Sequence, residues 1–153
     1  MGKIEVKSWD TFAEDKILDF LYQHKETSLF LLDNYQRSGA KIGQELFSGN
    51  FKILMDADQI CAVFCLTKSA NLLIQSDNEQ DCSDAIYTSC LEEEIAITGF
   101  VGNWKDGDLF WTYIKKIKTL ILFTGHENQP AQKLYKKLGF KHIGYFGLLF
   151  WDN

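Results

Sequence analysis

The sequence predicts a mixed α/β (α+β) fold, in which helices flank a mostly antiparallel central sheet. The first half contains two strand-like runs separated by a short polar turn, a pattern typical of a hairpin. In the second half, strand-like runs alternate with segments whose apolar residues recur at helical spacing. A hairpin followed by strand–helix alternation indicates one sheet with both antiparallel and parallel pairs. We expect residues 1–153 to form a single domain.

The first elements follow from the spacing of apolar residues. Residues 4–9 alternate apolar and polar side chains and predict the first strand. A helix is expected to start at Thr11, where Glu14 three residues later would complete a capping box. A second helix is expected to run from residues 27–28 to Gly39, the residue type that most readily ends a helix.

The later elements are predicted from the same two periodicities and from turn residues. In the first half they are strands at 51–55, 60–66 and 71–75, with a turn at 56–59, and a helix from 83–84 to 91. In the second half they are strands at 95–102, 119–124 and 140–151, and helices at 104–118 and 129–138.

Composition and charge exclude several classes of function. The formal net charge of −5 argues against nucleic-acid binding, because such a surface needs a basic face to displace counterions. Apolar runs such as residues 120–123 are too short to span a bilayer, and residues 1–10 contain no apolar signal core. We therefore expect a cytoplasmic protein with neither a nucleic-acid nor a membrane partner.

The cysteines, histidines and clustered acids predict no metal site. The three histidines lack the spacing of metal ligands, and the four cysteines form no CxxC pair. We interpret the cysteines as small buried hydrophobic residues in a reducing compartment. The acidic run at residues 92–94 is interpreted as a surface cluster, with a general base as the alternative.

The most informative segment covers residues 122–140. It resembles the C-terminal half of the GNAT superfamily of N-acetyltransferases, in which a strand leads to a helix of the form N-x-x-A-x-x-L-Y-x-x-L-G-F. The fixed positions of that pattern are occupied by Asn128, Ala131, Leu134, Tyr135, Leu138, Gly139 and Phe140. The resemblance implies a GNAT-like fold and transfer of an acetyl group from acetyl-CoA to a small-molecule or peptide amine.

The resemblance also implies roles for residues of this helix. Asn128 and Ala131 would contact the cofactor, and Tyr135 would lie near its sulfur as the general acid. A phenol with a pKa near 10 is suited to protonating a departing thiolate, because thiols titrate at about 8.5. Two structural alternatives stay open. Asn128 is also a good helix cap, and Tyr135 could be a core aromatic residue.

The expected cofactor arm would lie in a gap between strands. An extended thiol cofactor can bond exposed backbone groups as an added strand would. The backbone groups of Phe100, Val101 and Gly102 are predicted to hold this arm.

One part of the family pattern is missing. Active members carry R/Q-x-x-G-x-G/A before a long helix, and the backbone of that loop binds the pyrophosphate. At the corresponding place Leu109 replaces the second small residue, and Asp106 and Asp108 would repel a phosphate. An inactive binding or scaffold protein of the same fold is therefore the alternative function. A homodimerisation module is a further alternative, with its contact formed by Trp104, Phe110, Trp111 and Trp151.

Overall fold

The computed structural model describes residues 4–77, 82–102 and 127–142. The chain divides into two compact units, Met1–Ile121 and Leu122–Asn153, and each is described by itself. The first unit contains a five-stranded mixed sheet flanked by helices. The predicted fold class, an α+β protein with a mostly antiparallel sheet, is confirmed at this level.

The described strands of the sheet follow one another in chain order. They are β1 (Ile4–Ser8), β2 (Gly49–Asp56), β3 (Gln59–Thr67), β4 (Asn71–Ser76) and β5 (Gly99–Val101). Pairing is antiparallel from β1 to β4, whereas β5 runs parallel to β4. The parallel pair is possible because a helical crossover joins its strands.

The first unit contains three described α-helices, and the second contains one. They are α1 (Glu14–Gln23), α2 (Lys25–Ser38) and α3 (Ser83–Leu91), followed by α4 (Gln129–Lys137) in the second unit. Within the described ranges, none of the helices is both long enough and apolar enough to cross a membrane.

The sheet has an apolar core on each face. Along β3, Val63 and Cys65 pack with α1 and α2, whereas Phe64 and Leu66 pack with α3. All four side chains are fully buried, because successive residues of a strand point to opposite faces and both faces are covered by helices.

The predicted capping box at the first helix was wrong. Residues Trp9–Thr11 form a short 3-10 turn, and the Thr11 hydroxyl donates to the carbonyl oxygen of Ser8 at 2.7 Å. Phe12 is extended, so α1 starts only at Glu14, and no side chain caps it. Trp9 is buried against Tyr35 and Phe51, and this packing fixes the turn.

The second helix ends as predicted but starts earlier. Gly39 terminates α2 with a φ of 71°, and its N–H donates to the carbonyl oxygen of Tyr35. The helix begins at Lys25, directly after His24. Thr27 lies inside it, and its hydroxyl donates to the side-chain oxygen of Gln75 on β4. A tertiary contact thus uses the hydroxyl that was expected near the helix start.

The bounds of the hairpin strands and of β5 also differ from the predicted ones. The hairpin turn consists of Ala57 and Asp58 alone, with Ala57 at a φ of 52°, so the strands are longer than predicted. Cys82 is the N-cap residue of α3 and makes no side-chain cap bond. The strand predicted at 95–102 is regular only over β5. The predictions for 104–118, 119–124 and most of 140–151 lie outside the described residues.

Candidate active site

The first part of the predicted site lies on β5. The Phe100 side chain is buried among the residues that pack with α3, and Val101 is partly buried on the opposite face. A ligand can therefore reach Phe100 only through its backbone. At Gly102, a β-carbon would lie 3.1 Å from the carbonyl oxygen of Ile74, so glycine permits a close approach to β4.

The ladder between β4 and β5 is short. It begins at the pair Asn71 and Gly99 and ends at the pair Leu73 and Val101. Strand β4 continues beyond this point to Ser76, and among the described residues no strand pairs with that side of its last three residues. Ile74, Gln75 and Ser76 are at most 3% exposed, so little of this stretch of β4 is open to solvent.

The second part of the predicted site is the start of α4. Asn128 is the N-cap residue, and its side-chain oxygen accepts a hydrogen bond from the backbone N–H of Ala131 at 3.2 Å. Pro130 lies in the first turn, where its missing N–H has no intrahelical partner to lose. The structural role suggested for Asn128 is thus confirmed. The N–H of Ala131 is already used by this cap.

Tyr135 is half-buried on α4. Its ring lies 6.0 Å from the ring of Phe140, centroid to centroid. Burial raises the pKa of the Tyr135 phenol above its ordinary value, because the charged phenolate would lose solvation. The phenol is therefore protonated at neutral pH, the state that a general acid requires.

The predicted site residues thus lie in two units that are described separately. Phe100, Val101 and Gly102 belong to the first, whereas Asn128, Ala131 and Tyr135 belong to the second. The residues expected in place of the pyrophosphate loop, from 103 onward, lie outside the described residues.

The structure also reveals a buried ion pair. The acidic run at residues 92–94 was predicted to be a surface cluster, and for Glu93 this was wrong. Its side chain is only 8% exposed, and Oε1 lies 2.9 Å from Nζ of Lys52 on β2. Oε2 accepts a hydrogen bond from the Asn50 side chain at 3.1 Å. The turn after α3 returns Glu93 toward the sheet, through a bond from its N–H to the carbonyl oxygen of Cys90.

Lys52 also bonds to α3 through Ser89. Besides Glu93, it contacts the carbonyl oxygen of Ser89 at 3.2 Å and the Ser89 hydroxyl at 2.9 Å. The contact with Oε1 of Glu93 is an ion pair that lacks the geometry of a hydrogen bond. One feature of the sequence could have indicated this buried ion pair. Lys52 is a single lysine among the apolar residues of β2, on the face that packs with α3.

The cysteines are buried, as predicted. None of the four forms a disulfide. Burial, followed by the charge of Glu93, raises the pKa of Cys65 well above its ordinary value and that of Cys90 to about 12. Both thiols are therefore protonated at neutral pH and poor nucleophiles. The described part of the chain contains no group of three or more His, Cys, Asp or Glu side chains that could hold a metal ion.

Comparison with protein-family models, with curated proteins and with solved structures gives no match to this chain. The resemblance to the GNAT superfamily therefore rests on the motif between Asn128 and Phe140.

Proposed function

We propose that this protein is a GNAT-type N-acetyltransferase that moves an acetyl group from acetyl-CoA to a small or peptide amine. The observation that carries the proposal is the short parallel pair at the end of an otherwise antiparallel sheet. Among the described residues, the register of this pair ends at Leu73 and Val101, while β4 continues to Ser76. Backbone groups at such an edge can bond an extended pantetheine arm as an added strand would.

The proposed chemistry is direct transfer. The amine nitrogen attacks the thioester carbonyl carbon, a C–N bond forms, and the C–S bond breaks. The attacking nitrogen loses its proton to solvent water, and the Tyr135 hydroxyl protonates the departing sulfur. The raised pKa of Tyr135 supports this role, because a phenol that stays protonated is available as an acid.

Binding of acetyl-CoA tests the proposal. A ligand at 100 times its dissociation constant stabilises the folded state by about 2.7 kcal/mol. For a chain of this length we expect the melting temperature to rise by roughly 5–10 °C. Adenosine 3′,5′-bisphosphate, which lacks the pantetheine arm, serves as the control ligand and should give a smaller shift. An unchanged melting temperature with millimolar acetyl-CoA would contradict the proposal.

A single substitution tests the general acid. Tyr135→Phe removes the acidic hydroxyl and keeps the ring, so acetyl transfer should slow by roughly 100-fold or more. Tyr22→Phe, which alters an exposed tyrosine of α1, is the matched control and should leave turnover unchanged. Equal turnover in Tyr135→Phe and the unaltered protein would remove this residue from the mechanism.

One observation favours the alternative, an inactive protein of the same fold that acts in binding or as a scaffold. The N–H of Ala131 bonds to its own helix cap, so the start of α4 offers a ligand one donor fewer. No thermal shift with acetyl-CoA would favour this alternative. Light scattering over a range of concentrations would then test whether the protein forms a homodimer. The aromatic residues suggested for the dimer contact (104, 110, 111 and 151) lie outside the described residues.

A further inference from the structure

A groove with a volume of about 600 Å³ separates β1 from α3. Three consecutive residues of β1, Val6, Lys7 and Ser8, line one wall. Successive side chains of a strand point to opposite faces, so three in a row can line one groove only if it follows the edge of the strand. The groove therefore runs along the backbone of β1.

On the side away from β2, β1 has no partner strand within the part of the chain that the structure describes. Among the described strands β1 pairs with β2 alone, from the pair Ile4 and Asp56 to the pair Ser8 and Lys52. In an antiparallel pair every second residue directs its N–H and C=O away from the partner strand. Such a row of backbone groups is a template for an additional strand.

The cations near the strand wall are already neutralised. Lys52 is paired with Glu93, as described above, and Nζ of Lys7 lies 3.6 Å from a carboxylate oxygen of Glu5. Neither lysine therefore leaves a net positive charge for a ligand. The charge that an incoming molecule meets is set by the opposite wall.

That opposite wall is acidic. Asp84 and Glu92 of the α3 segment line the groove, with Thr88 between them. Both carboxylates are exposed, and neither has a salt-bridge partner among the described residues. Eight residues of helix separate them by about 12 Å along the axis. In an extended peptide, side chains four residues apart lie on the same face, about 13 Å from each other. This spacing is close to the separation of the two carboxylates.

We propose that this groove binds an extended peptide segment, which adds to β1 as a strand and places Lys or Arg side chains against Asp84 and Glu92. Backbone hydrogen bonds to the β1 edge supply affinity, and the two carboxylates select basic side chains. Peptide binding at this groove does not depend on acetyl transfer, so it is measured without acetyl-CoA.

The charge selection is tested with two labelled eight-residue peptides. Both alternate valine and threonine, and they carry either lysine or glutamate at the third and seventh positions. In fluorescence anisotropy the lysine peptide should bind, and its affinity should fall as salt increases. The double variant Asp84→Asn/Glu92→Gln should bind it about 2- to 30-fold more weakly, the range for two exposed charge pairs.

A matched control variant removes the same two charges elsewhere. Asp15→Asn/Glu26→Gln alters two exposed acids in the first turns of α1 and α2, as Asp84 lies in the first turn of α3. This control should bind the lysine peptide as the unaltered protein does. Equal weakening in both double variants, or equal binding of the lysine and glutamate peptides, would overturn the charge selection.

The strand addition is tested on the peptide, so that folding of the protein is not affected. N-methylation of alternate residues removes the N–H groups on one edge of an extended chain. Methylation of one set of alternate residues should abolish binding, and methylation of the other set should not. The backbone amide signals of Ile4–Ser8 should shift when the unmethylated peptide binds. Equal binding of the two methylated peptides would contradict addition to β1. A dimer in sedimentation, together with concentration-dependent shifts of the Ile4–Ser8 amide signals, would assign the edge to a second copy of the chain and overturn the proposal.

Discussion

At the scale of single residues, the pair Lys52 and Glu93 is the clearest case of tertiary structure overriding local pattern. Their side chains are only 14% and 8% exposed, so both charges lose most of their hydration. The bonds from Asn50 and to Ser89 compensate for part of that loss. A buried pair of this kind is costly to break from one side.

The pair can be tested by comparing a single variant with a double variant. Lys52→Met leaves the Glu93 carboxylate buried without its cation, so we expect the free energy of unfolding to fall by about 3 kcal/mol. Lys52→Met/Glu93→Leu removes both charges and should be more stable than the single variant. Urea denaturation measures all three proteins.

The control for this comparison is an exposed ion pair of α2. Arg37 and Asp33 lie 2.8 Å apart with both side chains more than half exposed. Arg37→Met should therefore change the free energy of unfolding by no more than about 0.5 kcal/mol. A double variant at Lys52 and Glu93 that is less stable than Lys52→Met would refute the argument.

At the scale of elements, the end of α2 was predictable because glycine adopts the backbone conformation required there without strain. Gly39 has a φ of 71° and a ψ of −167°, a region that other residues enter only with strain. The start of the same helix was not predictable from its local sequence. It lies at Lys25, directly after His24, and no side chain caps it.

Substitution of this glycine gives a clean measurement of backbone strain. A β-carbon at Gly39 would meet no atom within 4 Å, so Gly39→Ala should destabilise the fold through conformation alone. We expect a loss of about 2 kcal/mol in thermal or chemical unfolding. Gly43→Ala is the control, because its β-carbon would make only an ordinary 3.8 Å contact with the Ser48 hydroxyl. Equal effects of the two substitutions would rule out the strain at Gly39.

At the scale of the first unit, the sheet depends on helices packed against both faces. Phe100 connects the short strand β5 to the core on the α3 side and is only 1% exposed. This anchoring explains how a strand of three residues is held beside β4.

Truncation of this side chain should affect the whole first unit. Phe100→Ala removes a large buried ring, so we expect a loss of roughly 3–5 kcal/mol in the free energy of unfolding. Leu91→Ala, at a side chain that is 60% exposed, should cost much less. Similar losses for the two variants in denaturant titrations would contradict the assigned role of Phe100 in the core.

The sequence by itself determined the fold class, the order of the described elements, the helix end at Gly39 and the cap at Asn128. These features depend on periodicity and on the conformational preferences of one residue type, both of which are local. The tertiary structure decided the burial of Glu93, the short pairing of β5 and the groove beside β1. Each of these depends on strand register or on packing between distant segments, which apolar spacing along the chain does not encode.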